Sequence, residues 1–285
     1  MTDMANMNRR ADDPGFDPSM GDSRQLVRRR PELAKADSDQ VVALWHEHKL
    51  RSAGVGAELR TQQYYYPFDV QGIDGQTLAD ELVAAREPFS DRAEEFRALR
   101  RSLLSGVFSD AVKRAVAVVS AEEGVGKTYM VANLAVSFSQ FTGRTLLIDA
   151  NLRQPRLHRL FGTRVEAGLS NLLSGEVKNE AILPVEVLKG LHFLAAGATD
   201  DDPIRLLHGP RFSMFLEQMA DSFDYVFLDT PSNRCGPDAR LIAARAGAAL
   251  LVGREGQSRV ARLQQLVSQL RRGPALVAGV VLNLH

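Results

Sequence analysis

Cysteine is almost missing from this chain: Cys235 is the only one among 285 residues. No intrachain disulfide can form, so the composition suits a reducing compartment. No base stands beside Cys235 in the sequence, and it reads as a small neutral filler rather than a nucleophile. Net charge is missing too, since 35 Lys and Arg balance 35 Asp and Glu. Bulk electrostatic attraction to nucleic acid is therefore not expected, and Arg28-Arg29-Arg30 reads as a solvated patch on a polar arm. No apolar run approaches the ~18–20 residues that cross a bilayer, and Met1–Met20 is polar and acidic rather than signal-like. A cytoplasmic protein is expected, with any peripheral membrane association made through a partner. His46-Glu47-His48 does not put two histidines on one helix face, which argues against a metal site there.

What is present divides the chain in three. Residues 1–37 are rich in Asp, Arg, Pro, Gly and Met without a sustained period and read as a disordered polar arm. Residues 38–87 carry short helical patterns (Val41, Val42, Leu44, Trp45, Leu50, then Leu78, Leu82, Val83) and read as a small appendage. Residues 88–285 change character. A helix opening at Ser90 or Asp91 comes first. Short, continuous apolar runs follow at 115–120, 145–149, 191–195, 224–229, 248–252 and 276–282, separated by helical stretches at 128–140, 212–220, 239–245 and 260–271. Continuous apolarity means a strand covered on both faces, and alternation with helices calls for a parallel sheet. The expected fold is α/β, a doubly wound, mostly parallel sheet.

Between the first run and its helix lies Ser120-Ala121-Glu122-Glu123-Gly124-Val125-Gly126-Lys127-Thr128, whose second half is the heart of a P-loop. Phosphate oxygens need inward-pointing backbone N–H groups, so glycines are required where φ is positive or a Cβ would collide. The next helix adds its N-terminal dipole, Lys127 a positive charge, and Thr128 a hydroxyl for Mg²⁺. The candidate ATP-binding residues are Glu123, Gly124, Val125, Gly126, Lys127, Thr128 and Tyr129. Ala121 replaces the first glycine of the strict pattern, a small-for-small exchange. Glu122 and Glu123 bring negative charge to a phosphate site, and the expectation is that they point to solvent. Two more runs end in aspartate, Asp149 and Asp229, at the strand ends where open parallel sheets bind ligands. Asp229 suits magnesium binding, while Asp149 suits either a base or a second magnesium contact.

The stretch LLIDANLRQPRLHRLF (Leu146–Phe161) resembles a signature element of the bacterial tyrosine kinases, usually an apolar run followed by Asp-x-Asp-x-Arg-x-Pro. GLSNLLSGE (Gly168–Glu176), FDYVFLDTPS (Phe223–Ser232) and AGVVLN (Ala278–Asn283) are similar to that family and fall in its order. Across roughly residues 88–283 the chain resembles the free-standing chain-length-determinant kinases of exopolysaccharide loci, within the MinD/ParA-like P-loop proteins. The resemblance implies ATP and Mg²⁺ as cofactors, catalytic roles for Lys127, Asp149 and Asp229, and metal contacts from Thr128, Asp149, Asn151 and Asp229. It also implies adenine contact by Asn283, a homo-oligomer interface on the Glu94, Arg97, Arg100 helix, and a membrane chain-length determinant (polysaccharide co-polymerase) as activating partner.

Three departures matter. Asn151 stands where the family has a second aspartate, so it brings a carbonyl but no charge. Glu122 occupies the place of the signature lysine of septum-positioning relatives. The chain ends at His285, whereas family members commonly carry a tyrosine cluster on a C-terminal tail. Tyr129 and Tyr225 fall within core elements, leaving Tyr64, Tyr65 and Tyr66 as the cluster outside them. These three are either phosphoacceptors or packing aromatics of the appendage beside Phe68. Two functions stay open: tyrosine (auto)kinase, or an ATPase switch that docks a membrane partner without a protein acceptor.

Overall fold

The computed structural model describes residues 72–109, 115–141, 143–164, 167–177, 181–198 and 202–284. They lie in one of two compact units, Tyr66–His285. The arm, most of the appendage and the Tyr64–Tyr66 cluster lie outside the described residues.

In chain order the elements are α1 (Val83–Arg86), α2 (Asp91–Ser105), β1 (Ala115–Val119), α3 (Lys127–Ser139), β2 (Thr145–Asp149), α4 (Leu157–Leu160), α5 (Leu169–Ser174), β3 (Ile182–Pro184) and β4 (Leu191–Leu194). There follow α6 (Pro203–His208), α7 (Pro210–Ser222), β5 (Tyr225–Asp229), α8 (Asp238–Ala246), β6 (Ala248–Arg254), α9 (Val260–Arg271) and β7 (Leu276–Asn283). The sheet order is β3-β4-β2-β5-β1-β6-β7. Every pairing is parallel except β3 with β4.

β1, β2 and β5 are buried at every position, which is why their sequences run apolar without alternation. Two apolar layers cover them. One gathers α1, α2 and α3 with Phe108, Phe138, Tyr225 and Phe227 in edge-to-face contact. The other gathers α5 through α9 around Phe212, Leu216, Ile242 and Leu266. Helix α3 is buried from Met130 to Phe138, the signature of a central helix that carries the phosphate loop on its N-terminus.

Three expectations need correcting. The domain does not begin at residue 88: Ile73, Leu78, Leu82, Val83 and Ala84 belong to the same apolar layer as α3. Leu78 and Leu82 lie between a 3₁₀ turn (Gly75–Thr77) and the single-turn α1, which takes only Val83 of the expected pattern, rather than on a helix through those positions. Strand β7 is not covered on both faces, because it ends the sheet and leaves Leu276, Val280 and Leu282 more than half exposed. Strand β3 and helices α4, α5 and α6 were too short to show a period.

Asn133 secures the N-terminal segment. Fully buried in α3, its Oδ1 accepts the Ala84 N–H at 2.9 Å and its Nδ2 donates to the carbonyls of Glu81 (2.9 Å) and Tyr129 (3.0 Å). Asn133→Ala strands those groups without water, at a cost of about 1–3 kcal/mol. The urea midpoint should fall accordingly, and limited proteolysis should cut first within 72–90.

Candidate functional site

The phosphate loop folds as its glycines require. Gly124 (φ 71°) and Gly126 (φ 89°) occupy left-handed backbone, and a Cβ on Gly126 would lie 2.5 Å from Asn283 Nδ2. The outward side of the loop is held almost residue by residue from one distant region. Arg262 pairs with Glu122 Oε1 at 3.5 Å, and the Arg259 N–H donates to the same oxygen at 3.4 Å. Gln257 Nε2 donates to the Glu123 carbonyl at 2.7 Å, and Arg254 Nη1 to the Gly124 carbonyl at 3.4 Å. Asn283 Nδ2 donates to the Val125 carbonyl at 3.1 Å. With its carbonyls engaged outward, the loop keeps its N–H groups for an anion.

Glu122 therefore does not point to solvent. It is 5% exposed and neutralised by Arg262. Glu123 is exposed as expected and accepts from Ser232 Oγ at 3.5 Å.

Below the loop the register places Asp149 directly opposite Asp229 on the neighbouring strands β2 and β5. Both are wholly buried. Asp149 Oδ2 accepts the N–H groups of Arg156 and Leu157, each at 3.1 Å, and Oδ1 accepts that of Asn151 at 3.2 Å. Asp229 Oδ2 accepts the Thr128 hydroxyl at 2.6 Å, while its Oδ1 is buried without a hydrogen-bond partner. Burial, and then repulsion from Asp229, pushes Asp149 well above the ordinary carboxylate range, although three backbone N–H groups pull it back. Burial also raises Asp229, opposed by the Thr128 hydroxyl and the Lys127 ammonium.

Two adjacent buried carboxylates, one with an orphaned oxygen, beside a hydroxyl at a helix N-terminus form a donor set of hard oxygens. That set fits Mg²⁺. Thr128 and Asp229 are the residues that would hold it, with Asp149 within the same group.

Of the three, Thr128 lines a cleft of ≈ 510 Å³, with Glu123, Gly124, Gly126, Lys127 and Tyr129 from the same stretch of chain and Asn151, Arg153, Gln154, Arg156, Pro231 and Ser232 from the loops after β2 and β5. Tyr129 turns its ring edge-on to Phe96 of α2, and burial raises its phenol pKa. Asn151 is engaged within its own loop: its Nδ2 donates to the Gln154 carbonyl at 2.9 Å and its Oδ1 accepts the Gln154 N–H at 3.3 Å. Arg153 pairs with the buried Asp238 at 2.6 Å, tying this loop to the start of α8.

The arginine helix is only partly available. Glu94 is exposed and pairs with Arg97 (2.9 Å) and Arg101 (3.1 Å). Arg100 turns inward, donating to the Ser137 carbonyl and lying 4.8 Å over the Phe141 ring, so it fastens α2 to α3. Sequence reasoning missed the clasp of Arg254, Gln257, Arg259 and Arg262 because it lies about 130 residues from the loop it holds. No local pattern marks it.

A mostly parallel sheet with a glycine phosphate loop after β1, beside the central strand β5, and paired aspartates on two strand ends defines a P-loop NTPase. The family model ParA, described as NUBPL iron-transfer P-loop NTPase, matches residues 111–284, and the chain belongs to that family. Its similar relatives are bacterial tyrosine kinases. It is 36% identical over 202 residues to the provisionally named tyrosine-protein kinase EpsB of Ralstonia solanacearum, covering 71% of this chain and 27% of that protein. Against the tyrosine-protein kinase Wzc of Salmonella typhimurium the identity is 29%, over 71% of this chain and 28% of the other. The chain thus spans about a quarter of the length of these relatives. The solved kinase domain of the Escherichia coli tyrosine kinase ETK aligns with TM-score 0.67 at 29% identity, covering 71% of this chain and 79% of that domain. The MinD structure from Pyrococcus horikoshii aligns with TM-score 0.53 at 22% identity, covering 59% of this chain and 69% of the other, which bears on the fold alone. No helix among the described residues is long and apolar enough to cross a membrane.

The aspartate pair carries a pH signature. Both carboxyls bind protons more tightly folded than unfolded, so from about pH 4 upward the native state holds more protons and stability falls as pH rises toward neutrality. Without divalent cation, the urea midpoint should be lower at pH 7.5 than at pH 5. Asp149→Asn should flatten that slope, and millimolar Mg²⁺ should recover part of the loss at pH 7.5 in the parent protein.

Proposed function

We propose that this chain is an ATP-dependent protein-tyrosine kinase, acting on itself or a partner, that regulates exopolysaccharide chain length and export. The observation that carries the reading is Asp149. It is a buried carboxyl of raised proton affinity, in register with Asp229, under a cleft that also presents Lys127 and Thr128. A tyrosine hydroxyl has pKa ~10, so about one in a thousand is phenolate at neutral pH and a positioned base is useful.

The residues divide the work. The amides of residues 123–128 and the Lys127 ammonium cradle the phosphates and offset charge that develops on them. Magnesium, when bound at Thr128 and Asp229, supplies Lewis-acid neutralisation of the β and γ phosphates. As the phenolic oxygen bonds to the γ phosphorus, the bond to the β–γ bridging oxygen breaks, ADP leaves, and Asp149 takes the phenolic proton. Asn283, whose Nδ2 donates to the Val125 carbonyl, is assigned the adenine contact.

The same reading assigns peripheral association with the cytoplasmic face of a membrane through a polysaccharide co-polymerase, and homo-oligomerisation. For the oligomer, Glu94 and Arg97 are the available part of the charged helix. Tyr64, Tyr65 and Tyr66 are the acceptor candidates. A second reading, an ATPase switch without a protein acceptor, is favoured by Asn151, whose amide is engaged with Gln154 rather than turned to the carboxylate pair.

Incubation with Mg-ATP labelled at the γ phosphate separates the two. The kinase reading expects label on protein tyrosine, and Lys127→Met and Asp149→Asn should each lower it by ~100-fold or more while far-UV circular dichroism is unchanged. Label recovered solely as free phosphate would establish the switch instead.

A further inference from the structure

From Asn151 to Arg164 the sequence NLRQPRLHRLFGTR holds four arginines and no acidic residue, in a chain whose net charge is +0. All four arginines are exposed. Arg153 and Arg156 line the cleft itself. Arg159 lies three residues on, in α4, and Arg164 follows the turn at Gly162 (φ 61°). Burial and then Arg159 hold the His158 pKa below its usual value.

Arg153 already has Asp238. Arg156, Arg159 and Arg164 make no ion pair among the described residues. The acids nearest in the packing are engaged elsewhere. The 74–80 segment runs against α4 through Ala79 N–H to the Leu160 carbonyl, but Asp74 caps its own turn at Gln76 and Asp80 lies 4.0 Å from Arg86. The opposite wall of the cleft carries Glu123.

We infer that this arginine row is the docking surface for the acceptor: an extended polypeptide segment whose tyrosine is flanked by acidic residues. The inference rests on the kinase reading. One end of the row, Arg153 and Arg156, lines the same cleft as Lys127 and Thr128, so a chain that lays carboxylates along Arg159 and Arg164 delivers a nearby tyrosine to the phosphate loop. Guanidinium forks match carboxylates in pairs, and the exposed Arg159 and Arg164, with no ion pair among the described residues, orient the segment as well as attracting it. A membrane surface is too broad to follow the row into a cleft. The chain's own Tyr64-Tyr65-Tyr66 has Asp69 three residues beyond its last tyrosine, which fits the same rule.

The test uses two peptides with the same tyrosine, one flanked by Asp and Glu, the other by Lys. The acidic peptide should show a KM ~10-fold lower or better at low ionic strength, shrinking in 0.5 M NaCl. Arg159→Glu combined with Arg164→Glu should collapse the ratio between the two peptides, a comparison internal to each protein. Equal KM values, or a ratio that survives the charge reversal, would overturn the inference. If neither peptide is phosphorylated the kinase reading has failed. Docking is then read from anisotropy of the fluorescent acidic peptide: salt-sensitive binding lost in the double variant supports it, and no binding overturns it. Binding to vesicles rich in anionic phospholipid, without binding of the peptide, would assign the row to a membrane and overturn it too.

Discussion

Two aspartates face each other on adjacent parallel strands with no cation from the protein set between them, and much of the structure answers to that fact. Each is fully buried, and taking an ionised carboxylate out of water costs several kcal/mol even after relaxation. Three backbone N–H groups converge on Asp149, and the Thr128 hydroxyl and Lys127 charge act on Asp229. These contacts reduce the cost without removing it, as the raised proton affinity of both groups indicates. A site kept in that condition is poised to take up positive charge, whether a divalent cation or a proton. In the proposed kinase reading both uptakes belong to phosphoryl transfer, and the surrounding apolar layers offset the cost of the buried pair.

The phosphate loop has a complementary problem, since it must offer its N–H groups to an anion while its carbonyls also need partners. The connection from Arg254 to Arg262 and the end of β7 meet that need, by contacts to Glu122, Glu123, Gly124 and Val125 in turn. The side chains doing so are mostly cationic or amide. They place positive charge on the outer side of a loop that carries two glutamates, which gives Glu122 a role that its sequence position concealed. Here the position is neutralised within the subunit, so this chain uses it to fix its own loop.

How much of this was legible in the sequence follows from the range of each interaction. Strands β1, β2 and β5 announced themselves because a strand covered on both faces runs apolar without alternation up to its end. Gly126-Lys127-Thr128 was legible for a similar reason: positive φ and phosphate contact restrict residue type locally. Asp149 and Asp229 were legible as strand ends, but their opposition in register is a property of the sheet order. Contacts spanning 100 residues or more, such as Arg254 to Gly124, leave no periodic trace. Arg100 failed differently. Its spacing from Glu94 and Arg97 describes one face of a helix, yet its guanidinium reaches Ser137 and Phe141 on α3, because a long side chain need not follow the face its Cα occupies.

The cleft joins these parts, with Lys127 and Glu123 on the phosphate-loop wall and arginines on the other. Glu123 stands at the rim of the phosphate loop, and the loop after β2 contributes Arg153 and Arg156. Arg153 is held by Asp238 at the head of α8, so the loops following β2 and β5 are fastened to each other above the carboxylates. The same β2 loop supplies the Arg156 and Leu157 N–H groups that hold Asp149. Anything that pulls on the exposed arginines therefore acts on backbone bonded directly to that carboxylate. The arginine wall of the cleft and the hydrogen bonds that hold the buried Asp149 thus belong to one short run of chain, from Asn151 to Leu157.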